Sequence, residues 1–422
     1  MKLSNYNYIV KGKKEILIWN TFSGALLKFK SSQFQKLENL DLEQFSDKEI
    51  NTLIKNGILI ENNKFSEKDE VLSKRASSMF AEKNVVTFTV ALTEKCNASC
   101  YYCYQRDNCN LKESGITVQD YDKIVDFICQ RSNGKNVKII WFGGEPLLKK
   151  DVILYMCNEL SKREIKFISN IITNGLLLSK VDIDELKSIM HINKIQVTFD
   201  GLYEKHDIRK GFREKSNSFM KIVLAIDNLL KKDVQIVIRL NVSKENYNEL
   251  AEIIDYFSKK FKNYNNIRFY YELLSDDSGN SNFAIAKSMR KSTTQKLFES
   301  TFKYKQKSIT LPKRRNHFCG AQSINSYFID IYGNLYSCEH HLWDFDKKIG
   351  TISNFDFEEY SKKKISDVLS GKCKKCIFLP VCQGGCVRNN KNECPLYIFN
   401  IQKELNMRLE DMERGCKNGS NS

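Results

Sequence analysis

The sequence predicts an α/β protein built around a parallel sheet and followed by a module organised by cysteines. Three observations carry this reading. From Val85 onward, short apolar runs recur at Val85–Leu92, Val137–Phe142, Lys166–Ile172, Lys194–Phe199, Val234–Val242 and Ile267–Leu273. Amphipathic helical stretches separate these runs, and parallel strands need such crossover connections. Finally, the chain carries 14 cysteines, four of them between Cys96 and Cys109 and eight between Cys319 and Cys416.

The first 80 residues read as a separate unit. Tyr6–Val10, Ile16–Asn20 and Leu26–Phe29 suit short strands with turns at Gly12 and Gly24. Helices follow over Ser32–Leu40 and Asp47–Asn56, and residues 66–84 read as a charged linker. In the α/β segment, Thr117 and Asp120 give a capping-box start to the first helix. Tyr247, Leu250, Ile254, Phe257 and Phe261 line one face of a later helix. The pattern fits a partial barrel or an open doubly wound sheet, and both place ligands at the C-terminal strand ends. After a helical stretch over Asn282–Lys305, the cysteine-rich module runs from about residue 312 to the end. The expected domains are therefore 1–80, 85–310 and 312–422.

Composition narrows the class. With 41% apolar residues among 422, the chain can bury a sizeable core. No apolar run reaches the ~18 residues of a membrane span, and the N-terminus lacks a signal-peptide pattern. A cytoplasmic location without membrane contact is expected, and clustered thiols there point to metal or redox chemistry rather than disulfides. Cys129 and Cys157 lie among apolar helical neighbours and read as core residues. The net charge of +16 reads first as a Lys- and Asn-rich bias with charges spread over solvated faces; it could also attract an acidic peptide, an acidic electron donor or nucleic acid. No basic run interleaved with aromatics singles out nucleic acid as a partner.

Cys96, Cys100 and Cys103 follow the first strand in C-x3-C-x2-C spacing. Three thiolates on one loop can hold three irons of a cubane and leave the fourth for an outside ligand. A zinc site prefers four protein ligands, for which Cys109 is the spare thiol. With Tyr102 before the last cysteine, the motif resembles the signature of the radical S-adenosylmethionine (SAM) superfamily. Gly143-Gly144-Glu145-Pro146 ends the second strand, Thr173-Asn174-Gly175 the third, and Thr198-Phe199-Asp200-Gly201 the fourth. The resemblance implies a partial (β/α)6 barrel, a SAM-binding [4Fe–4S] cluster on the three cysteines, and SAM contacts from Gly143 to Pro146, Asn174 and Thr198. Arg239, inside the fifth strand, suits a carboxylate. His206 reads equally as a packed structural histidine or a catalytic one.

The later cysteines run Cys319, Cys338, Cys373, Cys376, Cys382, Cys386, Cys394 and Cys416. With Gly333 ahead of Cys338, they resemble the SPASM module of radical SAM maturases, whereas alone they would also suit paired zinc ribbons. The resemblance implies two auxiliary [4Fe–4S] clusters, three in all. Cys319, Cys338 and Cys386 map to the first auxiliary cluster, and Cys373, Cys376, Cys382 and Cys394 to the second. Residues 320–337 contain no cysteine to complete the first set, so it is left with an open position or is closed by Cys416. A helix begins at Pro395 with the stripe Ile398, Ile401, Leu405, Leu409 and Met412 and is expected to end at Gly415, carrying Cys416 away.

Together these resemblances imply a maturase of a ribosomally made precursor peptide, with an electron donor such as ferredoxin or flavodoxin. The expected product is a cysteine thioether crosslink. The N-terminal unit resembles the winged-helix element that binds leader peptides, often by strand addition. A sulfatase maturase, which makes formylglycine, is the nearest alternative. That family places an aspartate after the cysteine matching Cys338, where this chain has Glu339, a candidate general base. A carbon–carbon crosslinking enzyme and a non-catalytic electron carrier are the further alternatives.

Overall fold

The computed structural model describes all residues except 63–65, 82, 106–115, 213–216, 275–281, 302–310, 317–318, 366–368, 389–391 and 419–422, with backbone alone at 300–301 and 414–418. Cys109 therefore lies outside the described residues. The chain groups into two compact units, Met1–Ala81 with Lys305–Gln322 and Ser366–Ser422, and Glu82–Tyr304 with Ser323–Ile365.

In the first unit, β1 (Lys2–Leu3) pairs antiparallel with β5 (Leu59–Ile60), and β2 (Asn7–Lys11), β3 (Glu15–Asn20) and β4 (Leu26–Lys30) form an antiparallel sheet in that order. Alternation on β3 explains how both faces are covered. Leu17 and Trp19 pack with Val10, Val381, Ile401, Leu405 and Leu409. Ile16 and Ile18 turn the other way, onto Phe34, Leu37, Leu53 and Ile58. The final helix, Ile401–Asn418, closes one face with Ile401, Leu405 and Leu409; the expected start at Pro395 is instead a 3-10 turn, Leu396–Asn400, that carries Ile398, and Met412 of the expected stripe is exposed. It continues past Gly415, and Cys416 lies within it.

The stretch read as a linker is instead a helix, Glu67–Phe80, whose N-cap Ser66 accepts a bond from Asp69 N–H. Its inward face is partly polar: Glu67, Val71, Arg75, Ser78 and Met79 are all buried. Ser4 Oγ donates to the Glu67 carboxylate at 2.8 Å, and Arg75 Nε donates to the Gln383 carbonyl at 3.3 Å. Ser78 Oγ donates to the Asn316 carbonyl at 2.9 Å. Buried polar residues satisfied by distant partners erase the apolar period that sequence reading depends on.

In the second unit, β6 (Val85–Ala91), β7 (Asn136–Phe142), β8 (Phe167–Thr173), β9 (Ile192–Phe199), β10 (Ile236–Val242) and β11 (Ile267–Leu273) pair in parallel in simple sequence order. A doubly wound sheet would reverse its strand order, so this is the singly wound partial barrel. Helices Val118–Ser132, Lys150–Lys162, Ser218–Lys231 and Leu250–Lys260 lie among the connections. Thr117 and Asp120 form the expected box at the first of them. Residues Ile139, Trp141, Val197, Phe199 and Ile238 are fully buried, and Phe199 packs against Phe219 and Phe257.

Three more strands extend the sheet beyond β6. Strand β12 (Ser326–Asp330) pairs in parallel with β6, and β13 (Asn334–Tyr336) and β14 (Lys348–Thr351) follow antiparallel. The β12–β13 turn is fixed by buried Asp330, which accepts bonds from Tyr332 N–H, Asn334 N–H, Asn334 Nδ2 and Tyr336 Oη. Gly333, at φ +75°, completes that turn five positions before Cys338. The predicted helix over Asn282–Lys305 is shorter, a 3-10 turn at Lys287–Met289 leading into Arg290–Thr301.

Candidate active site

Because β6 to β10 run in parallel, their C-terminal ends share one edge of the sheet. The cysteine loop leaves β6 there and is tied down by backbone contacts. Gly144 N–H donates to the Thr93 carbonyl and Glu145 N–H to the Lys95 carbonyl, at 2.8 and 3.0 Å. A Cβ on Gly144 would sit 2.3 Å from the Lys95 oxygen, and one on Gly143 would sit 2.6 Å from the Thr93 oxygen. These glycines are required because their own chain's cysteine loop lies against them. Farther along, Ser99 N–H and Oγ reach the Lys210 and Gly211 carbonyls at 2.9 Å each, and Gly211 has φ +57°.

Glu145 is fully buried and joins two strand ends. Its carboxylate accepts bonds from Leu147 N–H, Thr173 Oγ1 and Asn174 N–H, at 3.1, 2.8 and 2.9 Å. Burial raises its pKa, and those three bonds oppose the rise. Pro146 begins the 3-10 turn Pro146–Lys149 that Glu145 caps. Asn174 in turn donates from Nδ2 to Asn97 Oδ1 at 2.7 Å and to Cys96 Sγ at 3.7 Å, while Ala98 N–H lies 3.4 Å from the same sulfur.

On the other side of the loop stands a buried polar network that sequence reading did not assemble. Tyr102 Oη donates to Asp200 Oδ2 at 2.6 Å. Lys210 Nζ donates to Thr198 Oγ1 at 2.7 Å and Tyr102 Oη at 3.1 Å, and lies 3.4 Å from Asp200 Oδ1. Asn241 Nδ2 bonds both Tyr102 Oη and Asp200 Oδ1. Asp200 and Lys210 are each only 2% exposed, so either charge alone would be strongly disfavoured. The network couples the aromatic of the cysteine motif to the ends of β9 and β10. Lys210 carried no signal of its own in a chain with 67 lysines and arginines.

His206 takes the structural role. Its Nδ1 accepts the Asp200 N–H at 3.2 Å, and its ring packs on Phe199, Phe212 and Phe219. Burial, followed by the charges of Lys210 and Arg209, holds it neutral well below the usual histidine range. Arg239 lies between Thr198 and Tyr270 in the strand register and donates to Asn241 Oδ1 at 3.1 Å. Burial disfavours its charge, but Tyr270, Glu272 and Glu339 nearby outweigh that. Glu339 sits on the turn Glu339–His341, where Tyr104 Oη reaches its carbonyl at 3.4 Å and the Tyr104 ring meets His340. Cys338 immediately precedes that turn.

Most of the other later cysteines belong to the first unit. Cys373 ends its short helix's N-terminal capping turn on Ser370, and Cys376 N–H donates to the Cys373 carbonyl at 3.0 Å. Gly385, at φ +67°, lies so close to Glu393 that its Cβ would meet the Glu393 oxygen at 1.9 Å. That contact lets Cys386 pair with Glu393, next to Cys394. Burial pushes Cys382 up to about 12; the Gly384 N–H opposes this, and the nearby thiols of Cys376, Cys394 and Cys373 add to it. Cys319 and Cys386 belong to the first unit and Cys338 to the second. Cys157 is fully buried as expected, and Cys129 is half-buried beside Arg163.

The donor set of the first loop suits an iron–sulfur cluster. Cys96, Cys100 and Cys103 are free thiols with no histidine or carboxylate interposed, and Cys96 already receives N–H bonds of the kind that stabilise a ligating sulfur. Burial pushes Cys96 to about 12 and Cys100 to about 11, so metal must displace protons from both. Among the described residues no three Cys, His, Asp or Glu side chains converge on a single metal ion.

Residues 90–257 match the family model of the radical SAM superfamily. This segment is a radical SAM domain, of the superfamily that uses [4Fe–4S] clusters and SAM. More particularly, the chain is similar to a cysteine-type anaerobic sulfatase-maturating enzyme of Clostridium novyi, 25% identical over 72% of this chain and 88% of that one. A serine-type counterpart from Bacteroides thetaiotaomicron is 26% identical over 70% of this chain and 80% of its own. The fold matches native anSMEcpe with bound AdoMet at a TM-score of 0.57 and 18% identity, over 76% of this chain and 99% of that one. The same protein with bound AdoMet and Cp18Cys peptide matches equally, at 0.57 and 18%, over 78% and 99%. Among the described residues no helix is long and apolar enough to cross a membrane.

Proposed function

We propose that this enzyme modifies a side chain of a peptide or protein, and that its reaction joins a cysteine sulfur to a carbon of another residue. The observation supporting a peptide substrate is the similarity along most of the length of enzymes that mature sulfatases. In this reading Cys96, Cys100 and Cys103 hold the SAM-binding cluster. The segment Gly143–Pro146, Asn174, Thr198 and Tyr102 shape the SAM site, and Arg239 receives a carboxylate. With cluster and SAM bound, reductive cleavage of SAM supplies a 5′-deoxyadenosyl radical that removes a hydrogen atom from the substrate. The chain's own part is to hold the reacting groups in place and keep water out. The Tyr102–Asp200–Lys210–Asn241 network fixes the loop, and Glu145 fixes the two strand ends facing it.

Thioether formation breaks one C–H and one S–H bond and makes one C–S bond. One hydrogen leaves on 5′-deoxyadenosine and the other as a proton. The electron taken from the donor for SAM cleavage is given back when the C–S bond closes, so the electrons balance. The cysteine-free stretch 320–337 motivates this product, because it leaves the first auxiliary set with three cysteines, Cys319, Cys338 and Cys386. Formylglycine formation is the second reading, favoured by the sulfatase-maturating relatives, with Glu339 as the base that takes the substrate's proton. The leader-peptide role of residues 1–80 and the auxiliary clusters belong to the same proposal.

Mass spectrometry separates the products. Peptides from short cysteine-bearing reading frames beside the gene should lose two hydrogens per crosslink and become resistant to iodoacetamide. Conversion of the Cp18Cys peptide to an aldehyde, with no crosslink in the neighbouring peptides, would replace the thioether reading by the second one.

A further inference from the structure

The concave face of the sheet carries a second feature away from the cysteine loop. Side chains alternate along each strand, and the buried Val137, Ile139, Ile195 and Ile267 face the covering helices. The opposite parity faces the barrel interior. At the end of the strands distant from the SAM site, three positions of that parity are basic: Lys138 on β7, Lys194 on β9 and Arg268 on β11. The residues interleaved with them on β6, β8 and β10 are Thr87, Ile168, Asn170 and Val237, none of them acidic. No hydrogen bond or ion pair joins Lys138, Lys194 or Arg268 to another described residue. Lys194 is half-buried, and burial, with the charges of Lys138 and Arg268 added to it, pulls it below the ordinary lysine range.

Three like charges on strands of one face repel one another; no described acidic side chain pairs with them, and this end of the interior is open to solvent, with Lys138 and Lys194 half-buried and Arg268 and Ile168 exposed. We propose that Lys138, Lys194 and Arg268 form a subsite in the barrel interior that binds a carboxylate side chain of the peptide substrate. The subsite rests on the peptide-modifying reading above and extends it to specificity. Thr198 stands four positions after Lys194 on β9, roughly 13 Å along the strand, which an extended peptide spans in about four residues. The acidic residue is therefore placed roughly four positions from the residue that reacts. Guanidinium and ammonium groups with no internal partner are the donors that a carboxylate needs.

The test uses the reconstituted full chain and a fluorescein-labelled, C-terminally amidated tetraglutamate peptide, with tetraglutamine as control and anisotropy as readout. Amidation removes the terminal carboxylate, so binding reports side chains; an unamidated tetraglutamine that binds equally well would assign the subsite to a chain terminus and overturn the proposal. Wild type should bind tetraglutamate and not tetraglutamine. The triple variant Lys138→Gln, Lys194→Gln, Arg268→Gln should bind at least tenfold more weakly. A control triple on the outer helices, Lys162→Gln, Lys231→Gln, Lys259→Gln, should bind as wild type does. Equal loss in both triples would reduce the effect to diffuse attraction by a chain of charge +16 and overturn the subsite. So would an unaffected interior triple.

A single charge reversal, Lys194→Glu, guards against a fold defect: it should weaken tetraglutamate binding more than Lys194→Gln does, at an unchanged melting temperature. Failure of the two readings is distinguishable. Interior-dependent tetraglutamate binding with no peptide ever modified would sink the maturase reading alone. Peptide turnover with binding indifferent to the interior triple would sink the subsite alone.

Discussion

At the scale of single residues, the glycines and the buried titratable groups make the clearest demands. Gly144 has no room for a methyl group, because the Lys95 oxygen would lie 2.3 Å from it and belongs to backbone. Gly144→Ala should cost about 2–4 kcal/mol through forced displacement of the cysteine loop. Iron bound by that loop should fall with it, and iron analysis alongside thermal melting checks both. His206 gives a pH signature. Its folded pKa lies well below the 6.5 of a free histidine, so the unfolded chain binds the extra proton. Stability is therefore complete above 6.5 and falls as pH drops below it, by up to about 1.4 kcal/mol per pH unit. His206→Asn, which retains an acceptor for Asp200 N–H, should flatten the decline in melting temperature between neutral and mildly acid pH. An unchanged acid limb would assign it to other groups.

Among elements, the strands of the barrel were legible and the helix Glu67–Phe80 was not. Val137–Phe142 and Lys194–Phe199 alternate, or run apolar, strongly enough to announce themselves. The helix hides because Glu67, Arg75 and Ser78 occupy its inner face and bond to Ser4, Gln383 and Asn316, far away in sequence. Strand β12 escaped for a related reason: its parallel pairing with β6 joins residues near 328 to residues near 89, and no local pattern encodes that. Arg75 also suggests a function for its helix. Gln383, whose carbonyl it holds, donates from Nε2 to the Arg315 carbonyl at 2.6 Å and stands between Cys382 and Gly384. Arg75→Ala leaves that carbonyl without its buried charged donor, a loss of about 1.5–3 kcal/mol. Iron associated with Cys373, Cys376, Cys382 and Cys394 should drop while dithionite-driven SAM cleavage persists. Full iron retention would confine Arg75 to packing.

For the whole molecule, the site was legible in its motifs and hidden in its support. The spacing of Cys96, Cys100 and Cys103 marks the cysteine loop by itself, and the resemblance it starts points to Gly143–Pro146 and Asn174 at the next strand ends. Lys210, Asn241 and Asn97 carry no such mark, because lysine and asparagine are abundant here and their roles depend on which loops the fold brings together. The cysteine inventory predicts about twelve irons per chain, four of them lost in Cys96→Ala, Cys100→Ala, Cys103→Ala. Stoichiometric zinc in their place would contradict the cluster assignment. The central claim, that the radical made at this site acts on a peptide, has a direct measurement. The reconstituted enzyme is given SAM, dithionite and a fully deuterated precursor peptide from beside its gene, and the 5′-deoxyadenosine is weighed by mass spectrometry. The account predicts one deuterium in the 5′-deoxyadenosine for each modification of the peptide. Unlabelled 5′-deoxyadenosine, formed at the same rate with and without peptide and leaving the peptide unchanged, would contradict it.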